Sequence, residues 1–437
     1  MVIEKFKKFN LECDEINTLN YRLGLLYSYK SANNGSLEQD KVTYSIVDNQ
    51  CKNLPELSKR NLVNYIFKLS MKYMCHNAVG YSFGELYNYE AAAVNCWEAL
   101  NEQYALLYEA QDYLDLTTMQ KDAYIAILDF LNSSNNDISK ESINKLLNNI
   151  NIFKQSEYFK KYMSNWDNAN FRDIFVPYTK IRSNLPWYYL HLSNEKKRDM
   201  NIYSKEFNPI YFAIKTYYLR YYLYGKSVIV YSTKHNISVY LFKMNYLREA
   251  MKLSDQVLEE FVKFEEKIIE NNKDKKQNKD LKIKDKIEQL IALDLFPQEQ
   301  LQKILKNNIK YLEFNNLFSE IIQYRSNYRE QIAFKYYSKS KNYNKMMAKA
   351  IEEGLLALTL RWVKMNEHHE KIYDSLSYLS RYYYQIGKKD DAKKIIDYVV
   401  DKCEKLKIDN HSSKMSDEKI SSYKILHDKI HQNLELY

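Results

Sequence analysis

The sequence predicts an all-α protein on three observations. Glycine and proline number only 7 and 5 in 437 residues, fewer than the turns of a sheet protein this long would use. Hydrophobic residues make up 45% and a third of these are aromatic, so an ordered core built largely from rings is expected. Apolar side chains recur every three or four positions through most of the chain.

A first helix is expected over residues 14–30, with Leu19, Leu23, Leu26 and Tyr27 on one stripe, and SANNGS stops it. A helical pair follows over 56–106, then one long helix over 107–131. Ser139 or Ser142 is expected to cap the helix after the loop SSNND. Over 146–208 the periodicity weakens, and Pro177 and Pro186 interrupt it. Asn208-Pro209 reads as the cap and first turn of a tyrosine-rich helix that Gly225 ends. Residues 226–242 fit a hairpin through SVIVYS and ISVYLF, or a helix through Ile237, Leu241 and Met244; the helix is preferred. Residues 265–288 carry charge and few large apolar groups, as a solvated linker or helical extension does. Amphipathic helices resume over 298–407, and one more closes the chain. The regions expected are thus 1–145, 146–264, 265–288 and 289–437.

The stretch YEAAAVNCWEAL places Tyr89, Ala92, Cys96 and Ala99 at spacings of three, four and three. Small side chains at that period let two helices approach, because interaxial distance depends on what stands between the backbones. Any antiparallel helical hairpin can show such a pattern. The stretch also resembles the second helix of a tetratricopeptide repeat, with Val79-Gly80 and Phe83 matching its first helix and His76 standing where that family has tryptophan. A second resemblance is YDSLSYLSRYYYQIGKKDDAKKIIDYVVDK, through Leu376, Leu379, Tyr383, Gly387, Ala392 and Ile396, with Ser380 and Val399 departing from the family's small residues. Fainter ones are Leu23-Gly24 with Tyr27, and Ala250, Ser254 and Val257 after Asn245. The resemblance implies irregular helical hairpins stacked in one or two right-handed arrays.

Motifs that carry chemistry are missing. Gly225-Lys226-Ser227 lacks a phosphate loop's earlier glycine, since position 220 is Arg, and neither a dinucleotide fingerprint nor a serine elbow occurs. Five cysteines form no CxxC pair, so neither a zinc knuckle nor a disulfide framework is expected and reduced thiols in a cytoplasm fit. His427 and His431 share a helical face, a geometry able to hold a metal, but no third ligand is evident in the sequence. No cofactor or metal and no catalytic residue is expected, and no apolar run is long enough for a membrane span.

The resemblance implies a scaffold that binds a peptide or helix of a partner protein. The contact candidates are Tyr81, Tyr378, Arg381 and Tyr382; Gly80, Tyr89, Ala92, Cys96, Ala99, Leu379, Tyr383, Gly387 and Ala392 are read as packing residues. The family's carboxylate clamp uses Lys and Asn where this chain has Asn77 and Tyr81, or Ser377 and Arg381, so that mode is not expected. Single-stranded RNA is the alternative partner, because YYLRYYLYGK interleaves rings with Arg220 and Lys226 and residues 273–286 are basic. The tyrosines there are nevertheless read as lining both faces of a core helix. No membrane partner is expected.

Overall fold

The structure, a computed structural model, describes residues 34–52, 54–132, 137–164, 172–192, 207–271, 280–335, 340–365, 368–408 and 417–436. The helix expected at 14–30, with the faint match at Leu23-Gly24, lies outside the described residues. Among those described there are seventeen α-helices and no strand. The chain divides into two compact units, Met1–Thr233 and Lys234–Tyr437.

In the first unit α1 (Asn34–Cys51), α2 (Leu62–Glu85) and α3 (Tyr89–Ala110) pack in sequence order, α4 (Thr118–Asn132) pairs with α5 (Lys140–Phe153), and α6 (Glu157–Tyr162) is one short turn. Helix α7 (Phe175–His191) lies on α3, and α8 (Pro209–Tyr224) on α7. Two expectations change. The long helix at 107–131 is broken, because Thr117 Oγ1 accepts from Gln120 N–H (3.3 Å) while Gln120 Oε1 accepts from Thr117 N–H (3.1 Å), a capping box that starts α4 afresh. Pro177 and Pro186 do not interrupt α7. Pro177 falls in the first turn, where an amide has no acceptor inside the helix, and Pro186 costs α7 a single bond. Ser139 does cap α5, and Asn208 Oδ1 caps α8 by accepting from Ile210 and Tyr211 N–H (3.0 and 3.3 Å).

Residues 228–243 are helical, as α9 (Val228–Lys243), and α10 (Leu247–Asn271) follows after a tight turn. In the second unit come α11 (Asp280–Ala292), α12 (Gln298–Asn308), a 3-10 turn (Ile309–Glu313), α13 (Asn316–Ala333), α14 (Lys341–Lys364), α15 (Glu370–Gln385), α16 (Lys389–Ile408) and α17 (Asp417–His431). Helix α10 packs on α13, α13 on α14, and so on in order to α17, while α11 and α12 lean on α14.

Three hairpins share one turn. After α2, Tyr87 takes φ +59°, with bonds from Leu86 N to Ser82 O, Tyr87 N to Gly84 O and Asn88 N to Phe83 O (3.2, 3.0 and 2.9 Å). After α15, Gly387 takes φ +85° and Ile386, Gly387 and Lys388 repeat those bonds at the same three lengths. After α9, Asn245 takes φ +67° with the same pattern from Met244, Asn245 and Tyr246 (3.0, 2.9 and 2.9 Å). Five residues past each left-handed position stands a fully buried alanine: Ala92, Ala392 and Ala250. Seven residues before it stands Gly80, Ser380 or Ser238.

That juxtaposition explains the small residues. A Cβ on Gly80 would lie 3.1 Å from Ala92 O and 3.3 Å from Cys96 N, backbone atoms that cannot step aside. Ser380 solves the same crossing by donating to Ala392 O at 2.9 Å. Tyr89 is partly exposed, whereas Cys96 and Ala99 turn inward, and Cys96 Sγ reaches Ile181 O of α7 at 3.3 Å.

Candidate functional site

In the second unit residues 234–243 of α9 lie against α13, and α13 lies beside α15, each the first helix of a hairpin. Tyr324 of α13 meets His235 of α9 edge to face (5.3 Å), and Tyr328 meets Phe242 (4.7 Å) while its hydroxyl lies 3.2 Å from Ser238 Oγ. Between α13 and α15, Ser326 Oγ donates to Tyr382 OH (2.7 Å), which donates to Asn327 Oδ1 (2.5 Å). Lys371 pairs with Glu320, and Glu330 accepts from Arg381 Nε (2.6 Å) and Gln385 Nε2 (2.9 Å). Arg361 of α14 closes the seam from behind, donating to Ser375 Oγ, Lys371 O and Gln323 Oε1 (2.7, 3.1 and 3.3 Å). Arg325 and Arg329 both grip Glu353 (3.1 and 2.7 Å), and Arg325 also pairs with Asp255 of α10. Most of the buried polar groups on these adjoining helices are thus paired with one another, although among the described residues Arg361 Nε and Gln385 Oε1 have no hydrogen-bond partner.

Two tyrosines on this face are only partly buried. Tyr324 and Tyr378 keep part of their surface in water, yet burial of the rest pushes both phenols above their ordinary range, most strongly Tyr324. Burial would also raise Glu320, but the neighbouring Lys371, Arg361 and His235 outweigh it and hold its carboxyl below the usual value. His235 is 2% exposed, both ring nitrogens lack hydrogen-bond partners, and burial lowers its pKa to about 4. At neutral pH the face therefore offers phenols flanked by a balanced set of charges, and the imidazole of His235 is buried and neutral.

The contact candidates fall in different surroundings. Tyr378 lies on this face with Arg381 over its ring at 5.1 Å. Arg381 is committed to Glu330, and Tyr382 is fully buried, so it offers no surface to a partner. Tyr81 stands on α2 in the other unit, half-buried. Sequence reading missed Glu320, Gln323, Asn327 and Glu330, although their spacing of three, four and three marks a polar stripe on α13.

Helix α8 differs from the core aromatic helix expected. Its buried side carries Lys215, Thr216 and Arg220 beside Ala213, Leu219 and Leu223, whereas Tyr217, Tyr218, Tyr221 and Tyr222 are partly exposed, Tyr218 and Tyr222 against the edge of the core, and stack in pairs, 217 on 221 (5.9 Å) and 218 on 222 (5.8 Å). The cause lies in α7 and α9. Arg220 donates to Thr179 O and Thr233 Oγ1 (both 2.7 Å), and Arg182 stacks 3.5 Å from the Phe212 ring centre and donates to Thr216 Oγ1 (3.0 Å). Buried carbonyls and hydroxyls thus hold the cations inside, while the rings of Tyr218 and Tyr222 pack at the edge of the core.

His427 and His431 do share a face of α17. A third group that could donate to a cation, not evident in the sequence, is the carboxylate of Asp397 on α16. Comparison with protein-family models and with curated protein sequences returned no match. Among the described residues no helix is long and apolar enough to cross a membrane.

Proposed function

We propose that the chain is a tetratricopeptide-like protein-binding scaffold, not an enzyme, and that its second unit takes a peptide or helix of a partner protein along α9, α13 and α15. The observation that carries the reading is the pair of partly buried tyrosines, Tyr324 and Tyr378, on a face whose charges are otherwise internally matched. Such rings supply contact area at low entropic cost and a hydroxyl for the partner's backbone. The three equivalent turns support the helical-repeat part of the reading, and the buried free thiols Cys75, Cys96 and Cys403 fit a reducing cytoplasm.

The test is capture by immobilised full-length protein. A specific partner should survive a high-salt wash and be lost from the Tyr324→Ser/Tyr378→Ser double variant, assayed below its own melting temperature, where circular dichroism shows it folded. Retention by the double variant would remove the reading. A second reading, single-stranded RNA, is favoured by the exposed tyrosine group on α8. With Lys215 and Arg220 turned inward, that mode would rest on stacking, and absence of binding at about 50 mM salt would eliminate it.

A further inference from the structure

We propose that Asp397, His427 and His431 bind one divalent transition-metal ion, joining the last two helices. The donors come from two elements: α17 presents the histidines four residues apart, one turn of helix, and α16 brings the carboxylate from thirty residues earlier in the chain. Asp397 Oδ1 lies 3.2 Å from His427 Nε2 and 2.7 Å from His431 Nε2, and all three donor atoms fall within 4.8 Å of one another. Tetrahedral zinc, with bonds of about 2.0 to 2.2 Å, sets neighbouring donors about 3.3 Å apart. Of the two edges from Asp397, one already has that length and the second must open by about half an ångström, while the edge between the histidines lies within 4.8 Å. The partly exposed side chains have room for this, and the rings are tilted 34° with centres 4.3 Å apart.

A further contact points to a ligand. His427 Nδ1 lies 3.0 Å from Asp428 Oδ1, so a carboxylate holds the imidazole with Nε2 aimed at the shared point. Carboxylate–histidine–metal arrangements use that contact to orient the ring and raise its basicity. Neither lysine nor arginine pairs with Asp397 among the described residues; its recorded partners are these two imidazoles. Two nitrogens and one oxygen select transition ions over magnesium or calcium, and three protein ligands leave a fourth position to water.

The experiment uses the full chain stripped with chelator and titrated with Co2+ and Zn2+. One equivalent of Co2+ should give the visible absorption of a four-coordinate complex, bleached by Zn2+ and unaffected by excess Mg2+, and Zn2+ should raise the melting temperature. His431→Ala and Asp397→Ala should each abolish both effects, and Asp428→Asn should weaken binding by about 10- to 100-fold. No binding by the parent chain, or binding that persists in His431→Ala, would overturn the proposal.

Discussion

The hairpin α2–α3 in one unit and the hairpin α15–α16 in the other have the same backbone turn and opposite ways of securing it. In the first the crossing depends on missing atoms, with Gly80 against Ala92 and Cys96. In the second it depends on added polar contacts, with Ser380 bonded to Ala392 O and Arg381 bonded to Glu330 of the preceding hairpin. Position by position, Tyr81 corresponds to Arg381 and Tyr87 to Gly387. One geometry therefore admits an apolar and a polar solution. The polar one creates a seam that fails when one partner is removed.

The largest effect expected is at that seam. Arg381→Met removes the guanidinium that donates to the buried Glu330 carboxylate, a loss of about 3 kcal/mol in urea unfolding. The double variant Arg381→Met/Glu330→Gln should recover much of it. Arg182 of the first unit is buried with hydroxyls and a ring as its recorded partners, and Arg182→Met should cost less than about 1 kcal/mol. Equal losses for the two arginines would erase the contrast.

Acid should separate the units next. The His235 pKa is lowered to about 4 from an ordinary 6.5, so the neutral form belongs to the fold. Its contribution, about 3 kcal/mol, is present above pH 6.5 and is lost as pH falls toward 4. Asp173 in the first unit is the reverse case. Burial raises it to about 7, against hydrogen bonds from Phe175, Val176 and Tyr224, so the protonated form is favoured and stability declines as pH rises from about 4 to 7. Hydrogen exchange at pH 7 and pH 5 should show protection falling around α9 and α13 on acidification while α7 is held or gains. Parallel changes in both would refute the assignment.

Much of this fold was legible because its signals are local. Helix periodicity, the Asn208-Pro209 start, the Ser139 cap and the small residues of α3 are each written within a few positions. The capping box at Thr117 was as local, and it was hidden by the continuous apolar pattern on both sides of it. The site was legible only in part. Tyr378 could be placed on the outer side of α15, but the burial of Tyr382 depends on Ser326 and Asn327 in another hairpin, and the third metal donor on the packing of α16 against α17. Such pairings arise from helix contacts that no single window contains. The mixed buried face of α8 has a related cause: Leu219 and Leu223 follow its own periodicity, but the burial of Lys215 and Arg220 beside them depends on groups of other helices.

Substitution at the crossing comes next in size. Gly80→Ala forces a methyl against two backbone atoms and should cost about 2 kcal/mol, even though alanine is the better helix former. Ser380→Ala removes one hydrogen bond and no space, about 1 kcal/mol.

The smallest difference lies in the turns. A left-handed conformation costs an ordinary residue about 1 to 2 kcal/mol, and glycine escapes this at an entropic cost of about 0.5 to 1 kcal/mol. Tyr87 holds φ +59° and Gly387 holds φ +85° with identical backbone bonds around them. Tyr87→Gly should therefore stabilise the first unit by about 0.5 kcal/mol, less whatever the edge contact of Tyr87 with Tyr89 contributes, and Gly387→Ala should destabilise the second by about 1 kcal/mol. Thermal unfolding of the two variants resolves opposite signs. A shared sign would mean that the turns differ in strain although their hydrogen bonds agree, and the equivalence of the two hairpins would then stop at the backbone.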